Sequence, residues 1–212
     1  MRLRKHFSGR QSDGGFSMIE LLVVVAVVLV VSAIGIPQLV SSRRLIRSAG
    51  LSREMLTQMR FARQEAMSQR QAVTFSYDNS TKEIKIIDHQ TSNKTLLTDA
   101  AYPNTAGSLT VRTFMLAGGG VPASEISHGI PSGLPTTPLD DTTTMTALSN
   151  NKFNVTFFPD GSATNNANAT KMAFFFYNPT VPSKTAMAIS VLGSGGRVKV
   201  WRYNSGGNKY YE

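Results

Sequence analysis

The sequence predicts an α+β protein, with one long N-terminal helix packed on a C-terminal antiparallel β-sheet domain. Three observations predict it. From Leu21 to Ile36, 16 residues run with almost no polar side-chain atom. Residues 38–70 hold no proline and one glycine, and their apolar positions recur at helical spacing. Beyond Gln71 the period changes to two, and short runs of β-branched and aromatic residues alternate with Gly-, Pro- and Asn-rich turns. The 212 residues leave room for one ordinary domain and an appendage. The chain is therefore read as four segments, 1–15, 16–37, 38–71 and 72–212, the last with a long loop at 118–151.

Composition narrows the chemistry before any motif does. Cysteine is absent, which removes disulfides, thiolate metal sites and thiol nucleophiles. The net charge of +9 is unevenly placed. Arg2, Arg4, Lys5 and Arg10 stand before the apolar run, seven arginines lie between Arg43 and Arg70, and the balance past Gln71 is only +2. Positive charge thus flanks the apolar segment on both sides, which suits anionic head groups or acidic partners better than a nucleic-acid-binding domain.

At about 1.5 Å per residue the apolar run spans roughly 24 Å, a little less than a bilayer core of roughly 30 Å. A secretory signal peptide would share its basic start, but a small-residue cleavage site should follow, and Ile36 is followed by Pro-Gln-Leu-Val instead. A plain signal anchor fits the flanking charge. It leaves Glu20, at the edge of the hydrocarbon, without a purpose.

The stretch Gly14-Gly15-Phe16-Ser17-Met18-Ile19-Glu20 resembles the prepilin signal of type IV pilins and type II secretion pseudopilins. The short basic leader, the Gly-Phe step, the acid at the fifth position after the step and the unbroken apolar run coincide. The resemblance implies cleavage between Gly15 and Phe16 by a prepilin peptidase, methylation of the Phe16 amine by the same class of enzyme, and a mature chain of 16–212. Residues 1–15 would then be a removed leader and 16–37 a transmembrane anchor. It also implies an assembly role for Glu20, whose carboxylate would meet an N-terminal amine, its own or a neighbour's. Physical cost agrees: an ionised carboxylate in hydrocarbon costs about 3 kcal/mol or more and is tolerated chiefly when paired or functional.

Pro37 stands where apolar sequence meets polar. A helix crossing it loses one backbone hydrogen bond and is expected to kink there; a helix stop is the alternative. In the amphipathic stretch that follows, Leu45, Ala49, Leu51, Met55, Leu56, Met59, Ala62, Ala66 and Met67 fall within one arc. Arg43, Arg47 and Phe61 lie roughly opposite. Arg63 and Arg70 point into the apolar arc, where a guanidinium stem can lie along the sheet below. The segment Met59 to Met67, running into Gln71-Ala72-Val73-Thr74-Phe75, is similar to the helix-to-first-strand passage of the minor pseudopilin H and minor pilin group.

In the β domain, Val73, Phe75 and Tyr77 alternate, Asp78-Asn79-Ser80-Thr81 supplies a turn, and Ile84 with Ile86 makes the return strand. Further strands are expected at Leu109–Leu116, Asn154–Phe158, Met172–Tyr177, Ala186–Leu192 and Arg197–Tyr203. Residues 118–151, dense in Gly, Pro, Ser and Thr, read as a functional or mobile loop, or as an exposed insertion without a role. The Phe157-Phe158-Pro159-Asp160-Gly161 turn, a Phe-x-Pro-x-Gly pattern, and the last hairpin with Gly196-Arg197 at its bend resemble the closing β elements of the same group. For residues 88–151 no resemblance is found.

No nucleophile elbow, phosphate-binding loop or metal-ligand cluster can be drawn, and His6, His89 and His128 are scattered, so neither an enzyme nor a metal or other cofactor is expected. The leading expectation is a minor pilin or pseudopilin, a structural subunit of a type IV pilus or a type II secretion pseudopilus. Held in the bacterial inner membrane with its β domain in the periplasm, it would join a tip or priming complex. Its partners would be other pilins or pseudopilins, the prepilin peptidase/methyltransferase and the inner-membrane assembly platform. The alternative is a DNA-binding minor pilin of a competence pilus. Gly196-Arg197-Val198-Lys199 resembles the Gly-Arg-x-Arg of that group with Lys for the second Arg. Arg202 and Lys209 add charge, and Trp201, Tyr203, Tyr210 and Tyr211 offer rings for stacking.

Overall fold

The computed structural model describes residues 15–118, 121–136, 139 and 143–212. The leader residues 1–14 and part of the 118–151 loop lie outside the described residues. One helix, α1, runs Met18–Gln69 with Pro37 inside it, so the proline does not divide it into two helices. By its contacts the chain falls into two compact units, Met1–Ser41 and Ser42–Glu212.

In the described part of the first unit, Ser17 opens the helix. Its carbonyl accepts from the Leu21 amide at 3.1 Å and its hydroxyl from the Ile19 amide at 3.4 Å, satisfying groups that a helix start leaves bare. Leu21 to Val31 are exposed on every side. A helix apolar all round and unburied matches no aqueous fold; its length and composition are those of a membrane-crossing helix.

Ten strands follow among the described residues of the second unit: β1 (Val73–Asp78), β2 (Glu83–Asp88), β3 (Leu109–Met115), β4 (Ser127–His128), β5 (Lys152–Phe157), β6 (Ala163–Thr164), β7 (Lys171–Tyr177), β8 (Met187–Leu192), β9 (Arg197–Asn204) and β10 (Lys209–Tyr211). A single-turn helix, α2 (Pro182–Thr185), precedes β8. They form two antiparallel sheets, ordered β3-β2-β1-β5-β6 and β10-β9-β8-β7-β4. Three strands beyond those expected, β4, β6 and β10, have only two or three residues, too few for alternation to show.

Period-two patterning decides which face each sheet buries. Phe75 and Tyr77 of β1, Ile84 and Ile86 of β2, and Phe153, Val155 and Phe157 of β5 point to one side. Met172, Phe174 and Phe176 of β7, with Met187, Ile189 and Val191 of β8, do the same from the second sheet. Both rows close on Leu51, Met55, Met59, Ala62 and Ala66 of α1 in one core. Each fully buried large side chain contributes about 1.5–3 kcal/mol, so this shared cluster is the main source of stability.

The helix face differs from the expected arc. Met67 is 40% exposed, while Ser48, Ser52 and Gln58 are buried. These polar groups go inside because they are partnered: the Ser48 hydroxyl donates to the Thr185 carbonyl (3.4 Å), Ser52 to Ala49 (2.9 Å) and the Gln58 amide to Glu54 (2.6 Å). Phe61, expected on the far side, packs on the edge of the core, with the Arg112 guanidinium 4.0 Å over its ring.

Segments read as loops cover the outer sheet faces. Residues of 118–151 carry β4, which pairs with β7, and place Leu139, Ile130 and Leu134 against Ala173, Phe175 and Trp201. The described residues of this stretch are therefore a built cover, not an exposed insertion. Glu125 pins it to α1: Arg47 Nη1 donates to both carboxylate oxygens at 3.0 and 3.1 Å, and Arg44 Nε lies 3.7 Å away. The Glu125 side chain is only 12% exposed. Glu125→Ala is expected to cost about 1–2 kcal/mol, the arginines being partly solvated, and to speed proteolysis within 118–151. Thermal melts and protease digestion of the variant check this; unchanged cleavage would mean the ion pair does not hold the segment.

Candidate functional site

Two regions carried functional expectations, the N-terminal segment and the last hairpin. At the first, Gly15 and Phe16 precede α1 outside any regular element, and Phe16 is 80% exposed. Glu20 sits in the first turn of α1, where the helix dipole favours negative charge. Its surroundings are exposed aliphatic residues, Ile19, Leu21 and Val23 among them. Among the described residues Glu20 takes part in no ion pair.

The last hairpin is arranged against the nucleic-acid expectation. Successive strand residues face opposite sides, so Arg197 and Lys199 lie on one face of β9 and Arg202 on the other. The β9–β10 register sets Tyr210 opposite Tyr203 and Tyr211 opposite Arg202. By the same alternation Lys209 belongs to the Arg202 face. The four basic residues are therefore split two and two.

On the outer face, Glu212 offsets half of the pair's charge: its carboxylate contacts Lys199 Nζ at 2.5 Å and Arg197 Nη2 at 3.7 Å. Three of the four rings are committed on this face, while Tyr211, 39% exposed, belongs to the Arg202 face. Trp201 is 2% and Tyr210 4% exposed, both packed with Phe175, and the indole N–H donates to the Ser190 hydroxyl at 2.8 Å. Tyr203 donates its hydroxyl to Asn208. A single-strand platform needs free rings along a cationic track. This face offers no free ring.

The Gly-Arg bend has a steric explanation instead. Gly196 adopts φ +57 and Gly161 φ +80, and the two turns meet beside Arg63 of α1. A Cβ on Gly196 would stand 2.4 Å from the Gly161 carbonyl oxygen and 3.1 Å from Arg63 Nε. Arg63 thus lies along the sheet ends, as its place in the apolar arc implied, whereas Arg70 is exposed, at φ 58 just past the helix end.

A buried polar cluster on the outer face of the first sheet escaped the sequence reading. His89 Nε2 lies 2.7 Å from the Thr74 hydroxyl and Nδ1 3.0 Å from that of Thr105. Thr74 contacts Thr156 at 2.6 Å, and Thr156 contacts the Tyr102 hydroxyl at 2.8 Å. The cluster bonds residues 102–105 to the sheet. Its one signal was the threonines at 74 and 156 facing outward on neighbouring strands, where exposed polar residues are the ordinary expectation.

Burial pushes the His89 imidazole below its ordinary value, against the opposing pull of the Asp88 carboxylate. Burial and then Lys82 lower His128 too. For a base depressed on folding, the unfolded chain binds more protons once pH drops below about 6.5. Stability is therefore full above that pH and is lost as pH falls toward the folded values. Melting points measured from pH 7.5 to 5 should decline, with a shallower slope in His89→Gln, His128 supplying the remainder. An identical slope would show that His89 does not carry the effect.

Among the described residues no group of three His, Cys, Asp or Glu side chains is placed to hold a metal ion.

The family model described as type II transport protein GspH matches residues 51–195, including the stretch 88–151 for which the sequence alone showed no resemblance. The prokaryotic N-terminal methylation motif matches residues 10–36. Among solved structures, the type IV minor pilin FimU of Pseudomonas aeruginosa is similar in two crystal forms. One shows 16% identity, coverage of 77% of this chain and 92% of that chain, and a TM-score of 0.44. The other shows 15% identity, 77% and 97% coverage, and a TM-score of 0.43. No curated protein matches the chain.

Proposed function

This chain belongs to the type II transport protein GspH family, and from that premise we propose that it is a minor pilin or pseudopilin, a structural subunit built into a type IV pilus or type II secretion pseudopilus. The observation that carries this reading is the methylation motif at 10–36 joined to an apolar, exposed helix with Glu20 in its first turn. The prepilin peptidase cuts between Gly15 and Phe16 and methylates the new amine. Residues 16–37 then hold the subunit in the inner membrane. The basic residues of 1–15 keep that end cytoplasmic, which puts residues 42–212 in the periplasm.

Assembly follows from the cost of an unpaired acid. In hydrocarbon the Glu20 carboxylate is destabilised by about 3 kcal/mol or more, and a neighbouring subunit's Phe16 amine removes that cost as the helices pack. The pairing is thus strongest where the subunit is docked, on the inner-membrane platform and in a tip or priming complex. Pro37 relaxes the helix where it leaves the bilayer.

Glu20→Ala is expected to leave membrane fractionation unchanged and to lower incorporation into sheared filaments at least tenfold. The mature wild-type chain should have the mass of one beginning at methylated Phe16. Normal incorporation of the variant would remove the docking role; an uncut chain would remove the processing site.

A further inference from the structure

An open groove of about 860 Å³ runs between Leu45–Leu56 of α1 and the inner side of β9 and β10. Its floor is aliphatic, with half-buried Leu45, Leu56 and Val200. Three cations stand around it, each from a different element: Arg53 of α1, Lys184 of α2 and Arg202 of β9. Among the described residues none of the three takes part in an ion pair. The acid at the rim, Glu212, has its carboxylate on Arg197 and Lys199 at the opposite face of the sheet. Three like charges around one concave surface repel each other, and their potential is focused into the groove.

We propose that this groove docks an acidic segment of a partner protein, one that carries a Leu-sized side chain flanked by carboxylates. The apolar side chain occupies the aliphatic floor while the carboxylates meet Arg53, Lys184 and Arg202. Arginine at two of the three positions suits bidentate carboxylate contacts. Tyr203 and Tyr211 also line the groove, but the Tyr203 hydroxyl is held by Asn208 and the floor between them and α1 is aliphatic, where a nucleic acid would need successive ring platforms. A lipid surface would be met by cations on an outward face, whereas these surround a concavity. The groove chemistry does not depend on filament assembly, so loss of the Glu20 reading would leave it standing.

The test uses the full chain in detergent micelles and fluorescence anisotropy of a labelled peptide in which leucines alternate with paired glutamates. Controls are the same peptide with glutamine for glutamate, an oligo-dT strand and phosphatidylglycerol vesicles. The glutamate peptide should bind, more weakly as salt is raised. Arg53→Gln with Arg202→Gln should weaken it at least tenfold, while Lys85→Gln with Lys152→Gln on the first sheet leaves it within twofold. No binding, equal binding of the glutamine peptide, or equal loss in both double variants overturns the proposal. So does tighter groove-dependent binding of the oligonucleotide or the vesicles. Circular dichroism of each variant separates loss of binding from loss of fold.

Discussion

Gly196→Ala is expected to lower the stability of the 42–212 unit by roughly 2–5 kcal/mol, a drop in melting point on the order of 10 °C. Two costs add. At φ +57 an alanine sits in the left-handed region, which disfavours a Cβ by about 1–2 kcal/mol. The same Cβ would stand 2.4 Å from the Gly161 carbonyl oxygen, so one of two backbone turns must move. Neither moves freely: the Gly161 amide donates to the Phe158 carbonyl at 2.9 Å, and Arg63 stands behind both glycines. Gly195→Ala, one residue earlier, meets nothing within 4 Å and is the matched control, expected to change stability by less than about 0.5 kcal/mol. Equal melting points for the two variants would show that the turns do not depend on this contact. A large loss at Gly196 alone would explain the glycine of the Gly-Arg bend as a packing requirement, with no nucleic acid involved.

That bend shows where the sequence was legible. Helix and strand positions could be read because their evidence is local: a sixteen-residue run broken only by Ser32, a 3.6-residue period after Pro37, and alternation at Val73-Phe75-Tyr77. The buried face of α1 was harder, because Ser48 goes inside on account of a carbonyl at Thr185, 137 residues away. The division of Arg197 and Lys199 from Arg202 was available from strand parity alone, and charge counting passed over it. The roles of Glu125 and Glu212 were not available, since each depends on a fold that brings a distant acid to basic residues of α1 or β9. At the N-terminal segment the reverse holds. There the spacing of Gly15, Phe16 and Glu20 carries the functional reading, and the fold adds only that Glu20 stands in the first turn of an exposed apolar helix.

Phe174→Ala should be the most damaging single truncation in the core, at about 3–5 kcal/mol. Its ring is fully buried and lies 4.8 Å from Tyr77 and 5.1 Å from Phe153 of the first sheet, and 5.0 Å from His128 and 5.7 Å from Phe176 of its own. Removing it opens a cavity where the two sheets meet, and the rings around it belong to different sheets and cannot all collapse inward. Phe174→Leu keeps most of the volume and should cost less than half as much. Phe175→Ala is the instructive comparison, since that side chain is equally buried but faces the outer cluster with Trp201 and Tyr210. Trp201 is the chain's one tryptophan, so its native emission should shift in Phe175→Ala and stay put in Phe174→Ala, although both variants melt early. Because one cluster joins the helix to both sheets, Phe174→Ala should still unfold in a single transition, monitored by Trp201 emission and by far-ultraviolet circular dichroism. Two separated transitions would mean that the sheets hold independently and that the shared core is not what makes the domain one cooperative unit.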